Sequence, residues 1–271
     1  MPELPEVETT RRGLRPHIEG QQIKIAVVRN RAMRQPVTRG LEQRLAGKKV
    51  RAIRRRGKYL LFDCGKGTLL VHLGMSGRLW ITDNATLPAL HDHFDLVMAS
   101  GAIVRLRDPR RFGLVLWHAG DGLSHALLKD IGPEPLEPGF DADWLYRETR
   151  NRSVAIKQAL MDSHLVAGIG NIYANEALFR AGINPKTPAR RIGIARYAIL
   201  VEKIRETLEL AIEAGGSTLR DYVGSDGQAG YFQHNFLVYD RAGEPCVNCR
   251  APVRTLVQGQ RSTYYCPRCQ R

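Results

Sequence analysis

The sequence lacks the long apolar runs that membrane insertion or secretion requires. One of its two longest stretches without Asp, Glu, Lys or Arg is Ser163–Asn175, which includes Ser, His and Asn, whereas a membrane helix needs about 18 apolar residues. The N-terminus carries Glu3, Glu6 and Glu8 where a secretion signal would have a basic and then an apolar segment. We therefore expect a cytoplasmic protein without a membrane anchor.

Acidic residues are scarce relative to basic ones. The chain of 271 residues has 27 aspartates and glutamates against 41 lysines and arginines, a formal net charge of +14. A packed core remains possible because 43% of the residues are hydrophobic, which excludes a mainly disordered chain. The basic residues form four separated clusters, within 29–58, 105–111, 147–157 and 241–271. Dispersed clusters predict a groove that follows a phosphate backbone; the alternative is a solvated basic surface without a partner.

The first half of the chain predicts one helix followed by short strands. Apolar residues at helical spacing indicate a helix over Glu3–Ile18, and Pro5 and Glu6 suit its first turn. Short β-favouring runs follow, separated by turn residues. They are Ile23–Val27, Tyr59–Phe62, Thr68–Leu73, Arg78–Thr82, Phe94–Ala99, Ala102–Leu106 and Leu114–Trp117. Many short strands at this spacing favour a sandwich or a barrel.

The composition changes at Gly132–Gly139, which contains three prolines and is the best candidate for a domain boundary. Beyond it the periodicity is helical. The candidate helices are Asp141–Thr149, Val154–Asp162, Asn171–Ala181 and Ile194–Ala214. Residues Gly224–Gln233 are rich in glycine and predict a mobile loop.

Four of the five cysteines follow the pattern C-x2-C-x16-C-x2-C, as Cys246, Cys249, Cys266 and Cys269. This spacing is typical of a tetrahedral zinc site on two tight turns, and four thiolates leave no open position for catalysis. Two disulfides are the alternative, disfavoured without a secretion signal. The fifth cysteine, Cys64, is expected to be a buried, inert thiol.

The N-terminus is a candidate chemical site. If Met1 is removed, Pro2 exposes a secondary amine whose reference pKa, near ~8, lies well below that of lysine. Such an amine can condense with a sugar carbon to give an iminium, and Glu3 and Glu6 could transfer protons. Lys58 is a second amine candidate. The alternatives are that Pro and Glu simply begin a helix, and that Lys58 contacts phosphate.

Taken together, these features resemble the bacterial formamidopyrimidine-DNA glycosylases over essentially the whole chain. The motifs occur in family order with the four-cysteine finger after them. They are Pro2-Glu3-Leu4-Pro5-Glu6-Val7-Glu8-Thr9, Arg56-Gly57-Lys58-Tyr59-Leu60, His72-Leu73-Gly74-Met75-Ser76-Gly77, Asp108-Pro109-Arg110-Arg111-Phe112-Gly113 and Gly168-Ile169-Gly170-Asn171-Ile172-Tyr173.

The resemblance implies an α+β fold. An N-terminal β-sandwich with a leading helix would precede a helical helix-two-turns-helix domain and a four-cysteine zinc finger, with DNA in the cleft between domains. The chain divides accordingly into a catalytic domain (1–132), a linker (133–150), a helical DNA-binding domain (151–235) and a zinc finger (236–271).

The resemblance also implies the function. The family excises oxidised purines such as 8-oxoguanine and formamidopyrimidines in base excision repair, and cleaves abasic sites. The chain is expected to act as a monomer with one structural Zn²⁺ on double-stranded DNA that contains such lesions. Its expected location is the bacterial cytoplasm, at the nucleoid.

Residue roles follow from the matched positions. Pro2 would be the nucleophile and Glu3 the proton donor, Lys58 would serve β-elimination and Arg261 δ-elimination, and Glu6 would be a supporting carboxylate. Two further groups are implied. The residues that fill the gap left by a flipped nucleotide are Met75, Arg110 and Phe112, and those that contact DNA are His91, Arg110, Arg152, Lys157 and Asn171. The loop from Ser217 to Tyr231 would cap the lesion.

Two other functions remain open from the residues alone. A related glycosylase could prefer oxidised pyrimidines, although Leu4 and the three gap-filling residues favour purine lesions. A non-catalytic zinc-finger DNA binder would use the basic clusters but has no use for Pro2, Glu3 and Lys58 together. Core packing is the alternative role of Met75 and Phe112, whose glycine-flanked turns favour exposure.

Overall fold

The computed structural model describes residues 1–217 and 232–271. Its described residues form two compact units, Met1–Asp130 with 214–217, and Ile131–Glu213 with 232–271. Residues 214–217 therefore group with the first unit rather than with the helices before them. The four-part division of the chain stays a prediction.

The first helix, α1 (Leu4–Ile18), begins where the sequence indicates. Glu3 is its N-cap, Pro5 lies in the first turn, and the side chains of Leu4, Val7, Leu14 and Ile18 are fully buried. Proline is tolerated there because the first helical N–H groups have no intrahelical acceptor. The helix ends before Gly20, which has a φ of +78°.

The first unit is a β-sandwich, as predicted. One antiparallel sheet has the order β1-β6-β7-β5 and the other β2-β3-β4-β8. The strand bounds are β1 (Ile23–Val28), β2 (Ala52–Arg56), β3 (Tyr59–Asp63), β4 (Gly67–His72), β5 (Arg78–Thr82), β6 (Asp92–Met98), β7 (Ile103–Arg107) and β8 (Leu114–Ala119). Apolar side chains of both sheets, such as Phe62 and Phe94, form one core with Leu14 of α1.

Two elements of this unit have no counterpart among the predicted ones. Strand β2 has three arginines among its five residues, and Ile53 is its one buried residue, so little apolar alternation is visible. Helix α2 (Leu41–Leu45) is a single short helical segment. Cys64 follows β3 rather than lying within a strand; it is buried, and burial raises the pKa of its thiol to about 11, as expected for an inert group.

The second unit contains the other helices. They are α3 (Ala142–Thr149), α4 (Ile156–Leu160), α5 (Asn171–Arg180) and α6 (Ile194–Glu213). Helix α3 occupies the end of the predicted linker and packs on α6. Among the described residues, no helix has the length and apolar character to cross a membrane.

Helix α4 is shorter than the predicted Val154–Asp162. The Ile156 N–H donates to Thr187 O at 2.8 Å, and the Ala189 N–H donates to Val154 O at 2.9 Å. These bonds hold the residues before α4 in an extended conformation beside a distant segment, so the helix begins only at Ile156.

The chain ends in a hairpin of β9 (Arg254–Gln258) and β10 (Arg261–Tyr265), here called the zinc hairpin. Its two-residue turn consists of Gly259 and Gln260, with φ of +53° and +60°. Positive φ at both central positions is typical of the tight turns that match strand twist. Arg261 therefore lies directly after the turn, next to the tip of the hairpin.

Candidate active site

The carboxylate of Glu6 connects the start of α1 to the segment that follows α6. Glu3 donates its backbone N–H to Glu6 Oε2 at 2.8 Å. Ser217 donates both its backbone N–H and its Oγ–H to Glu6 Oε1, each at 2.9 Å. Pro2, Glu3 and Glu6 are all buried, whereas Met1 is exposed. The residue next to Pro2 is therefore fixed by the same side chain that holds Ser217.

Gly216 allows this approach. Its φ is +83°, and a Cβ at this position would lie 3.2 Å from Glu6 Cγ and 3.3 Å from Glu6 Oε1. Any side chain here would meet both a strained backbone and the carboxylate. The remainder of the predicted capping loop, residues 218–231, lies outside the described residues, as does most of the predicted mobile loop Gly224–Gln233.

A second carboxylate joins α1 to the strand that leads to Lys58. Glu8 accepts hydrogen bonds from Arg11 and Arg12 of its own helix and from Arg55 Nε of β2 at 3.3 Å. Burial alone would raise the pKa of Glu8, but hydrogen bonds and the arginine charges hold it at about 2. Lys58 lies two residues beyond β2, in the tight turn between β2 and β3, so this network orients its turn relative to α1.

His72 is a neutral histidine close to Lys58. Burial, together with the charges of Lys58 and Arg34, lowers its pKa to about 4. Its Nδ1 accepts the Gly74 N–H at 3.0 Å, and its ring lies 4.7 Å from that of Tyr59. His72 thus links the strand beside Lys58 to the turn that carries Met75. The sequence motif contained it, but nothing in the motif assigned it this role.

The turns 72–77 and 108–113 pack into one structure, here called the sandwich platform. Gly74 has a φ of +65°, and a Cβ there would lie 2.4 Å from the backbone carbon of Phe112. Phe112 is 42% exposed, Met75 is half-buried and Arg110 is exposed. The Arg110 guanidinium lies 4.7 Å from the Phe112 ring centroid. The expected exposure is confirmed for Phe112, and these three side chains project from one rigid base.

Asp108 forms the centre of that base. It is completely buried; its Oδ1 accepts the Ser76 hydroxyl at 2.8 Å and its Oδ2 accepts the Gly113 N–H at 2.7 Å. Its own N–H donates to the His91 carbonyl at 3.0 Å. A buried carboxylate that accepts several hydrogen bonds fixes its donors strongly. Asp108 and Pro109 are a turn signal in the sequence, but nothing in the pattern indicated that the Asp108 carboxylate accepts hydrogen bonds from Ser76 and Gly113.

The other predicted DNA contacts belong to the second unit. Asn171 is the first residue of α5, after Gly170 as N-cap, and its Oδ1 is buried without a hydrogen-bond partner among the described residues. The N-terminus of this ten-residue helix is the positive end of its dipole, which favours a nearby anion. The unpaired Asn171 Oδ1 is an acceptor and needs a donor, so a bound anion is favoured by the helix N-terminus and not by this oxygen.

Lys157 and Arg152, both predicted to contact DNA, each have a hydrogen-bond partner within the protein. Lys157 is completely buried and donates to Ser262 O at 2.8 Å and to Thr263 Oγ1 at 2.7 Å. It therefore holds the zinc hairpin against α4. Arg152 donates to Asp162 Oδ2 at 2.6 Å, so an external phosphate would have to compete with that carboxylate. Direct DNA contact by these two residues stays a prediction.

The zinc hairpin places Arg261 on the surface of the second unit. Asn175 of α5 accepts the Tyr264 N–H at 2.8 Å through its Oδ1. The Gln270 side chain donates to Ile183 O at 2.9 Å. The exposed Arg261 thus projects from a hairpin that is fixed on both sides.

The four cysteine thiols converge, as the spacing predicts. All four Sγ atoms lie within 4.8 Å of one another. The Sγ–Sγ distances are 3.4 Å for Cys249–Cys266 and 3.9 Å for Cys246–Cys269. Zn–S bonds of about 2.3 Å in a tetrahedron give sulfur separations of about 3.8 Å, whereas a disulfide needs about 2.05 Å. The residues fit one structural Zn²⁺ and exclude the two-disulfide alternative.

A third carboxylate holds the segment that follows residue 231. Glu176 of α5 is completely buried and accepts the successive backbone N–H groups of Leu237, Val238 and Tyr239 at 2.9–3.1 Å. Burial raises the pKa of Glu176, and these donors oppose that shift. No sequence pattern had indicated Glu176, because its partners are about sixty residues away.

Family models match three successive parts of the chain. The formamidopyrimidine-DNA glycosylase N-terminal domain matches residues 1–115, the H2TH domain of the same enzymes matches 131–223, and a zinc finger found in FPG and IleRS matches 243–271.

Curated relatives match from end to end. A formamidopyrimidine-DNA glycosylase from Janthinobacterium sp. (strain Marseille) is 57% identical, and one from Aromatoleum aromaticum is 58% identical; each alignment covers 100% of both chains.

Solved structures of Fpg enzymes are similar to this chain over nearly its whole length. MutM (FPG) from Thermus thermophilus has a TM-score of 0.89 at 40% identity, covering 99% of this chain and 98% of that one. Lactococcus lactis Fpg with abasic-site DNA has a TM-score of 0.90 at 36% identity, and a mutant of that enzyme with Fapy-dG DNA has 0.91 at 35%; each covers 99% of both chains.

Proposed function

Because the chain belongs to the formamidopyrimidine-DNA glycosylase family, we propose that it performs base excision through the amine of Pro2. It is a base-excision repair enzyme that removes oxidised purines from DNA and cleaves abasic sites. The names of these relatives disfavour oxidised pyrimidines as main substrates and a non-catalytic DNA binder.

Removal of Met1 is the first requirement of this mechanism. With Met1 in place, the Pro2 nitrogen is an amide and has no nucleophilic lone pair. After removal it is a secondary amine that attacks C1′ of the damaged nucleotide. The bond from C1′ to the base breaks as the N–C1′ bond forms, and the base leaves with the electron pair and a proton. Ring opening then gives an iminium at C1′.

Glu3 is the proposed proton donor to the opening sugar oxygen. It follows the nucleophile directly, it is buried, and its N–H is held by Glu6. Fixing the backbone at Glu3 limits the motion of Pro2, which favours a productive attack geometry. Glu6 is therefore a positioning residue in this proposal and contributes no proton to the sugar.

Strand cleavage follows from the iminium as an electron sink. Lys58 removes a proton from C2′; the electrons form the C1′–C2′ enamine system and expel the 3′-phosphate in β-elimination. Arg261 assists the second elimination, which expels the 5′-phosphate, by neutralising charge on that leaving group. Hydrolysis of the imine would then return the Pro2 amine.

The DNA would be held and deformed by the remaining predicted residues. Met75, Arg110 and Phe112 combine an apolar plug, a cation for the orphaned base and an aromatic wedge, which suits a gap left by an extruded nucleotide. His91 and Asn171 are suited to phosphate contacts. The enzyme would act as a monomer in the bacterial cytoplasm, at the nucleoid where its substrate lies.

The fixed, buried Pro2–Glu3 segment is the observation that carries this proposal. We expect borohydride to trap a covalent complex between the enzyme and a duplex with an abasic site, provided mass spectrometry shows Pro2 at the N-terminus. Insertion of a residue between Met1 and Pro2 should abolish trapping. Lys58→Gln is the matched control: it should still trap but eliminate more slowly.

Peptide mapping of the adduct decides between the two candidate amines. A borohydride-stable sugar on Pro2 supports the proposal. An adduct on Lys58, or trapping by protein whose Pro2 is acylated, would refute it.

A further inference from the structure

The outward face of the sheet β1-β6-β7-β5 carries rows of charged residues that line up across the strands. Leu79 and Leu106 point into the core, so the alternate residues of β5 and β7 point outward. In the strand register, Asp92, Arg107 and Arg78 lie opposite one another, and Asp95, Arg105 and Trp80 form the next row.

Most arginines of this face have a carboxylate partner. Arg105 is buried and binds Asp95 through Nε and Nη2, each at 2.9 Å. Arg107 binds Asp92 through Nε and Nη2 at 2.7 and 3.0 Å. Arg29 also pairs with Asp95. Each of these arginines therefore has a carboxylate partner within the protein, with Asp95 shared by Arg105 and Arg29.

Arg78 differs from these arginines. No carboxylate of the described residues forms an ion pair with it, and its Nε is buried without a hydrogen-bond partner. It lies directly opposite Arg107, and like charges in such a pair destabilise a sheet. Burial and the Arg107 charge lower the pKa of Arg78, while Asp92 opposes this only at longer range.

Trp80 holds the two cations together. The guanidinium of Arg78 lies 4.7 Å from its ring and that of Arg107 lies 5.3 Å away. Stacking on an aromatic ring orients a guanidinium and leaves its edge for an anion. The row Asp92–Arg107–Arg78 thus ends, on the edge strand β5, in a cation that is oriented but not neutralised.

The position of this cation suggests its ligand. Arg78 directly follows the turn 72–77, which carries Met75, and Arg107 immediately precedes Asp108 at the start of the other turn of the sandwich platform. We propose that Arg78, oriented by Trp80 and Arg107, binds a backbone phosphate of the DNA duplex next to the sandwich platform. This contact adds to those expected of His91 and Arg110, and it rests on DNA binding rather than on the chemistry at Pro2.

A salt titration of binding tests the proposal without catalysis. The probe is a duplex with a tetrahydrofuran abasic analogue, which cannot form an iminium, beside an undamaged duplex of equal length. Arg78→Gln should reduce the slope of log Kobs against log salt by about 0.9, as expected for one lost phosphate contact. Binding at low salt should weaken about five- to tenfold on both duplexes, because a phosphate contact does not read the lesion.

Two further variants serve as controls. Lys24→Gln removes an exposed charge from β1, at the opposite edge of the same sheet, and should leave the slope unchanged. Arg78→Lys should retain the slope but lose part of the affinity, because an ammonium lacks the guanidinium fork. An Arg78→Gln protein with an unchanged unfolding midpoint and an unchanged slope would overturn the proposal, as would an equal loss in Lys24→Gln.

Discussion

The sandwich platform and the zinc hairpin both present an arginine to solvent, Arg110 and Arg261, but they are held by different means. The platform is fixed by Asp108, by close backbone packing at Gly74 and by a large apolar core beneath it. The hairpin adjoins a small cluster that includes Phe179 of α5, Val253 and Cys266, and Tyr264 of β10 packs against it. The hairpin depends on four thiolates and on Lys157 and Asn175 of neighbouring helices.

The difference follows from the size of each segment. A turn between core strands of a sandwich is stabilised by the packing of those strands, so one buried carboxylate is enough to set its shape. A hairpin near a chain end cannot bury enough apolar surface to fold alone and needs a metal. Loss of the Asp108 hydrogen bonds should therefore destabilise the platform alone, and loss of the metal or of Lys157 should destabilise the hairpin alone.

Zinc removal should give the largest effect and should affect the hairpin alone. Structural zinc in small fingers contributes about 10–16 kcal/mol of binding free energy that is also folding free energy. After chelation, or in Cys249→Ser, we expect residues 246–271 to lose protection from hydrogen exchange while 72–77 and 108–113 keep theirs. Cys64→Ser is the control, because it removes a thiol that does not bind zinc. Retained protection of the hairpin without zinc would contradict the prediction.

Asp108→Asn should weaken the platform by about 3 kcal/mol. The substitution replaces a carboxylate oxygen with an amide that cannot accept both the Ser76 hydroxyl and the Gly113 N–H, so a buried donor is left unsatisfied. Chemical denaturation measures the loss, and zinc stoichiometry should not change. Asp83→Asn is the matched control, since the Asp83 side chain also accepts a backbone N–H, that of Ala85, but on an exposed turn. Equal losses in the two variants would refute a special role for Asp108.

Lys157→Met should give the smallest effect, about 1–3 kcal/mol, confined to the hairpin. The change leaves Ser262 O and Thr263 Oγ1 without their buried donor. Hydrogen exchange of β10 should accelerate while the platform is unaffected. Lys186→Met is the control, because Lys186 contacts the hairpin at Tyr265, with its Nζ 3.3 Å from Oη and 5.0 Å from the ring centroid, and makes no buried hydrogen bond there. If Lys157→Met weakens DNA binding without altering β10, direct phosphate contact is the better explanation.

Local patterns in the sequence predicted much of this molecule. The helical period of α1, the short β-favouring runs of the sandwich and the cysteine spacing each depend on near neighbours, and each was confirmed. The positions that escaped prediction depend on distant partners. Arg105 looks like part of a basic cluster until Asp95 is placed beside it, and Lys157 looks like a surface cation until Ser262 lies next to it.

Glu6 and Glu176 have a consequence for protein engineering. The Glu6 carboxylate accepts hydrogen bonds from Ser217, and the Glu176 carboxylate accepts them from Leu237–Tyr239. Both carboxylates lie outside residues 218–231, so a chain in which that segment is exchanged keeps both hydrogen-bonding groups. We expect such exchanges to alter lesion preference, because the family resemblance predicts that the segment caps the lesion, and to leave the Pro2 amine unchanged.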